Sequence, residues 1–191
     1  QVQSHTCMPY GVNVPLFSPV VEEVLSLCAA QRVPVVTTGA GNPTPFIDRL
    51  KEAGCLVIPV VASAALARRL ERAGADAVIA EGLESGGHIG SVSTMALVPQ
   101  VVDAVEVPVI AAGGFGDGRG LVAALALGAS GIQMGTRFIC TEECIAHLEY
   151  KRAILKATDR STVVTGTTLG HPVRCIRNPM AREFEELERR G

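Results

Sequence analysis

The chain has 191 residues, of which 48% are hydrophobic and 19% charged, with a formal net charge of −2. That composition excludes a disordered chain, and a near-neutral balance without a basic block excludes an electrostatic surface for nucleic acid or anionic membrane. No apolar run reaches the ~18 residues of a membrane span, and no secretory pattern is found, so a cytoplasmic protein that engages neither nucleic acid nor membrane is expected.

Aromatic residues are only 4%, with no Trp, so the core has to be built from Val, Ile, Leu and Ala. That is the usual content of parallel strands buried on both faces. Short β-branched runs predict strands over 11–14, 33–37, 56–60, 77–80, 107–111 and 131–134. Helical spacing predicts helices between them, over 19–30, 43–53, 63–73, 94–105 and 118–127. Ser18 is the expected cap of the first, with Val20, Val24, Leu27 and Cys28 on one face. Ser63 opens the third, and Asp117 is expected to cap the fifth. Beyond residue 140 the pattern predicts a helix over 142–157, with Ile145, Leu148 and Ile154 on one side. A β-prone stretch over 161–168 and a charged helix over 181–190 follow.

Strand-helix alternation implies parallel strands joined by right-handed crossovers. Two architectures satisfy it, an open doubly wound sheet and a barrel. The first would carry a Gly-x-Gly-x-x-Gly turn. Gly39-Ala40-Gly41 begins one, but Thr44 occupies the last glycine position. A barrel instead places its phosphate site in the loops after its last two strands. Those loops hold Gly113-Gly114 and Gly135-Thr136, which offer backbone amides and one hydroxyl. The expected fold class is therefore α/β, a TIM-type (β/α)8 barrel in truncated form. Strands three to eight are expected to be present, with the first two strands and a C-terminal segment expected to be missing. Residues 1–140 would form the partial barrel with its phosphate site, and 141–191 a truncated helical and extended segment.

Cys7, Cys28, Cys55, Cys140, Cys144 and Cys175 are scattered and lack a second metal-ligand pair, so reduced thiols and no metal site are expected. The candidate catalytic residue is His88. It lies in Gly86-Gly87-His88, just after the strand predicted over 77–80, so its imidazole falls at the carboxyl edge of a sheet. Histidine exchanges protons near neutral pH without a large shift. The competing reading is a histidine that only hydrogen-bonds its own loop.

Four blocks together resemble the nitronate monooxygenase-like flavoproteins: Thr37-Thr38-Gly39-Ala40-Gly41-Asn42-Pro43, Glu81-Gly82-Leu83-Glu84-Ser85-Gly86-Gly87-His88-Ile89-Gly90, Pro108-Val109-Ile110-Ala111-Ala112-Gly113-Gly114 and Gln133-Met134-Gly135-Thr136-Arg137-Phe138. The first block, with Gly170-His171-Pro172-Val173-Arg174 in the tail, is most similar to the branch of FMN-dependent enoyl-acyl-carrier-protein reductase II. The resemblance implies FMN at the carboxyl face of a barrel and NAD(P)H as co-substrate. It implies a trans-2-enoyl thioester substrate, small or bound to acyl-carrier protein, and a homodimer. Gly113, Gly114, Gly135 and Thr136 would hold the FMN phosphate, flanked by Gln133 and Met134. Glu81, Gly86 and Gly87 would approach the ring or ribityl chain, and Asn13 and Thr38 would be further flavin contacts. His88 would handle the substrate proton. His171 and Arg174 are either an anion contact at the mouth or a surface loop pair. The alternatives are oxidation of alkyl nitronates by O2, a phosphate-ligand-binding barrel without redox activity, and a piece inactive by itself.

Overall fold

A computed structural model describes residues 5–190. Six parallel strands form one sheet: β1 (Gly11–Pro15), β2 (Val35–Gly39), β3 (Leu56–Val61), β4 (Val78–Glu81), β6 (Val109–Ala112) and β7 (Gly131–Gln133). Between β4 and β6 lies a two-residue strand, β5 (Gly87–His88). The order β1-β2-β3-β4-β6-β7 runs straight through the sheet without a reversal. A doubly wound sheet would reverse at a switch point, so this curled parallel half-barrel is consistent with a truncated TIM barrel.

The intervening helices are α1 (Val21–Ala30), α2 (Thr44–Glu52), α3 (Ala64–Arg72), α4 (Thr94–Val102) and α5 (Gly118–Ala126). They cover the convex face in two clusters. Val14, Val36 and Val57 pack with Leu25, Ile47 and Leu50. Val61, Val78, Ala80, Val109 and Ala111 pack with Leu70, Leu97 and Val101. Each fully buried Leu or Ile among these contributes about 1.5–3 kcal/mol. Because side chains alternate along a strand, the residues between them face the concave side. Register sets Asn13, Thr37 and Ile58 in one row and Glu81, Ala112 and Gln133 in another.

The caps divide. Ser63 is extended and accepts a hydrogen bond from Leu66 N at 3.2 Å, and Asp117 accepts one from Arg119 N at 2.9 Å. Ser18 does not cap α1. Its backbone carbonyl takes Val21 N at 3.1 Å and no side chain closes the helix start. The buried stripe of α1 accordingly starts later than expected. Leu25 and Cys28 are buried, with Val21 and Val24 packed beside them, while Val20 and Leu27 are 46% and 61% exposed.

After β7 come a short helix α6 (Thr136–Ile139) and α7 (Leu148–Lys156). The helix expected over 142–157 is thus shortened at its start. His147 Nδ1 accepts from Glu149 N at 3.2 Å and caps it, and Ile145 is fully exposed instead of lying on an apolar stripe. Strands β8 (Thr162–Thr165) and β9 (Val173–Ile176) form a hairpin, and α8 (Pro179–Arg190) follows. Glu188 on α8 ties the hairpin's turn, accepting from Gly166 N at 3.0 Å and from Thr168 Oγ1 at 2.8 Å. The hairpin pairs antiparallel with β5 in a second sheet, β5-β9-β8.

Candidate active site

A cleft of about 530 Å3 opens between the carboxyl ends of β4, β6 and β7 and the β8–β9 hairpin. Glu81, Gly86, Gly87, Gly113, Gly114, Gln133, Met134, Gly135 and Thr136 all line it. The sequence separates these residues into three blocks, and the strand order brings the blocks together.

The glycine loop after β6 has a steric cause. Gly113 and Gly114 both have positive φ, 97° and 82°, a region that L side chains avoid. A Cβ on Gly113 would lie 2.9 Å from both Gly82 O and Thr94 Oγ1, and one on Gly82 would fall 2.1 Å from Thr94 Oγ1. Three segments therefore cross here at backbone contact distance. Glu84 fastens the crossing. Its Oε2 accepts from Thr94 N at 2.9 Å and from Thr94 Oγ1 at 2.7 Å. The same hydroxyl lies 2.9 Å from Gly113 O, so one proton is shared between two acceptors.

No backbone carbonyl among the described residues takes the amides of Gly113, Gly114 or Gly135. The space over Gly135 and Gly87 is open, with nothing within 4 Å of an added Cβ. A Cβ on Gly86 would stand 3.6 Å from Thr136 Oγ1, so the two walls come close without touching.

The two carboxylates of the loop behave oppositely. Burial pushes the Glu81 carboxyl above its ordinary range. The neighbouring Ser85 hydroxyl works against that shift, but it does not reach hydrogen-bonding geometry: Ser85 Oγ is buried without a partner. At Glu84 partial burial also disfavours the charge, but the Thr94 hydroxyl and amide, the loop's own backbone and Arg174 outweigh it and hold the carboxyl below its ordinary range.

Three expected contacts stand elsewhere. His88 is exposed and does not line the cleft; its ring lies 5.5 Å from that of Phe17, beyond the end of β1. Asn13 lies on the concave face and accepts from Thr37 Oγ1 at 2.9 Å. Thr38 is on the opposite face, buried with an unpartnered hydroxyl and away from the cleft lining. The alternation of β2 puts Thr37 beside Asn13 instead, a signal present in the sequence. Sequence reasoning also missed Ser85, and Tyr150 and Ile154 of α7, which line the cleft. His171 is exposed, and its amide closes the hairpin turn on Gly166 O at 3.0 Å. Among the described residues no group of three or more His, Cys, Asp or Glu could hold a metal ion. No described helix is long and apolar enough to cross a membrane.

A sequence model of the family described as nitronate monooxygenase matches residues 2–190. The chain is 42% identical over 192 aligned residues to a Mycobacterium tuberculosis protein named (3aS,4S,5R,7aS)-5-hydroxy-7a-methyl-1-oxo-octahydro-1H-indene-4-carboxyl-CoA dehydrogenase, covering 99% of this chain and 54% of that one. The solved structure of FabK from Thermotoga maritima superposes with a TM-score of 0.95 at 57% identity, over 98% of this chain and 60% of that one. A nitroalkane oxidase from Streptomyces ansochromogenes superposes with a TM-score of 0.84 at 32% identity, over 95% and 65% of the respective chains. The chain thus spans about half the length of the curated relatives it matches. The agreement of the family model from end to end, on the same glycine loops that build the cleft, makes this chain a member of the nitronate monooxygenase family.

Proposed function

We propose that the protein is an FMN-dependent oxidoreductase that uses NAD(P)H to reduce a trans-2-enoyl thioester, carried on acyl-carrier protein or as a small molecule. The observation that carries the cofactor is the wall of the cleft: three glycine amides without a backbone acceptor, beside the Thr136 hydroxyl. Glycine amides left without a backbone acceptor beside a hydroxyl suit a phosphate. The open space over Gly135 and Gly87 and the volume of the cleft fit a cofactor-sized ligand. Bound FMN supplies reversible hydride transfer.

The chain's own residues do the rest. Gly113, Gly114, Gly135 and Thr136 hold the phosphate, with Gln133 and Met134 flanking it. Glu81, Gly86 and Gly87 line the approach to the ring, and Asn13 lies on the same concave side two inward-facing rows below. Burial disfavours the charged form of the Glu81 carboxyl on that approach. His88, which follows Gly87 of the cleft lining in β5, would deliver a proton to the α-carbon of the thioester. On this reading β1 to β4, β6 and β7 correspond to barrel strands three to eight, and residues 141–191 supply the hairpin wall.

The enoyl reductase branch is supported by the 57% identity to FabK, an enoyl-acyl-carrier-protein reductase II. It is also supported by relatives named as dehydrogenases of CoA esters. The second reading is nitronate oxidation by O2, favoured by the family's description and the nitroalkane oxidase likeness. There His88 would take a proton from the substrate instead. The test is NADH oxidation by the flavin-loaded protein, which is expected to depend on an added crotonyl thioester. Anaerobic bleaching by an alkyl nitronate, with NADH inert, would select the second reading. A colourless protein that takes up no FMN would sink both and leave a phosphate-ligand barrel.

A further inference from the structure

Arg174 sits on β9, and its backbone stands opposite Gly87 of β5. Its side chain turns back along the loop. Nη2 and Nε donate to the Leu83 carbonyl at 3.1 and 3.3 Å, and Nη1 donates to Thr162 Oγ1 at 3.1 Å. One residue thereby grips the loop at two points, four positions apart, from 91 residues away in the chain. At its start the loop is also held by Gly82 N to Ala112 O at 3.0 Å and by Glu84 on Thr94, but its histidine end has few holds. The β5–β9 ladder consists of two residue pairs, supplemented by Ile89 N to Pro172 O at 3.1 Å and Leu83 N to Val92 O at 2.9 Å.

The Nε–Nη2 edge is the one with which a guanidinium takes a phosphate or carboxylate bidentately. Here that edge is spent on a backbone carbonyl. The charge also lies close enough to Glu84 to help keep it ionised, and Glu84 in turn holds Thr94, whose hydroxyl reaches Gly113 O. The hairpin, the histidine loop and the glycine loop are joined through Leu83, Glu84 and Thr94.

We propose that Arg174 is a positioning residue: by pinning the Leu83 carbonyl it fixes the Gly86-Gly87-His88 loop against the β8–β9 hairpin and so sets the shape of the cleft. A charged donor bonded to a half-buried carbonyl is among the stronger hydrogen bonds, and a two-pair ladder is a weak hold without it.

The test is amide hydrogen exchange on the folded protein, followed over residues 82–90, 162–165 and 56–61. Arg174→Met is expected to speed exchange over 82–90 about tenfold or more while 56–61 keeps its protection. Arg174→Lys, which can still give one hydrogen bond to Leu83, is expected to restore part of the protection. Thr162→Val removes only the bond inside the hairpin and is expected to leave 82–90 unchanged. Unchanged exchange over 82–90 in Arg174→Met, or acceleration confined to 162–165, would overturn the proposal. If the Met variant does not fold, the Lys variant decides: severalfold faster exchange over 82–90 supports the pin, and parental exchange refutes it. In turnover, the kcat losses of Arg174→Met and His88→Ala are expected to be non-additive. That arm rests on the role proposed for His88 and the exchange arm does not. Faster exchange over 82–90 with a parental kcat in His88→Ala therefore keeps the pin and removes His88 from the mechanism.

Discussion

Glu81 and Glu84 lie three residues apart and titrate in opposite directions, so they contribute opposite slopes to the pH dependence of stability. Burial raises the folded-state pKa of Glu81 above its unfolded value. Its folded form therefore holds more protons, and stability falls as pH rises from the ordinary carboxylate range through the raised value. Glu84 is held below its ordinary value. Its contribution is present above the unfolded pKa and is lost as pH falls through the lowered one. Glu81→Gln is expected to raise the Tm at neutral pH and to remove the loss on going from acid to neutral. Glu84→Gln, which can still accept from Thr94 N, is expected to lower the neutral Tm and flatten the acid side. Thermal unfolding of both variants between acidic and neutral pH checks the pair. Equal slopes in the two variants would show that the loop does not separate its carboxylates. Neither shift was legible in the sequence, which shows two Glu in one loop. The difference comes from Thr94, ten residues downstream, and Arg174, ninety downstream, which reach only Glu84.

At the scale of elements, the strands and most helices were legible because alternation and 3.6-residue spacing are local signals. Ser63 and Ser18 show where that legibility ends. Both precede an apolar-periodic run, but only Ser63 is extended with its side chain turned onto the first turn. The chain leaves β1 through a tight turn, Ser18 N to Pro15 O at 3.2 Å, which commits Ser18 to that turn and moves the start of α1 to Val21. Ser63→Ala is expected to cost about 1 kcal/mol and Ser18→Ala close to nothing, as measured by chemical denaturation of each variant. Similar costs would mean that Ser18 does cap α1. The late start of α7 has a related cause. Thr141 closes the preceding turn, its Oγ1 on Phe138 O at 2.9 Å, and the Lys151 ammonium then takes the Thr141 carbonyl at 2.6 Å. A helix running through 142–147 would have to break these contacts. Pro99 makes the reverse point, since α4 continues through it on the strength of Leu97, Val98 and Val101 buried around it.

For the whole molecule, the six-strand order followed from simple alternation, and so did the meeting of the glycine loops at one end of the sheet. The second sheet did not. It depends on a two-residue strand paired with a hairpin far along the chain, and a pairing that short has no periodicity to read. Its consequence is that the cleft has one wall from the parallel sheet and one from the C-terminal hairpin. The parallel sheet itself is curled but open among the described residues: β1 and β7 each have one strand neighbour. Large apolar side chains stand exposed near the β7 end, Val122 at 68%, Phe138 at 57% and Leu155 at 73%. Unpaired edges template further pairing, and contiguous apolar surface drives association. The 191-residue chain by itself is therefore expected to bind ANS with enhanced fluorescence and to elute in size-exclusion chromatography ahead of a monomer. Val122→Lys with Leu155→Lys places charge on the exposed face without touching either buried cluster. The pair is expected to reduce both signals, and a residual association would then be attributable to the β1 and β7 edges. A parent chain that runs as a monomer and leaves ANS dark would show that neither the open edges nor the apolar face drives association in this fold.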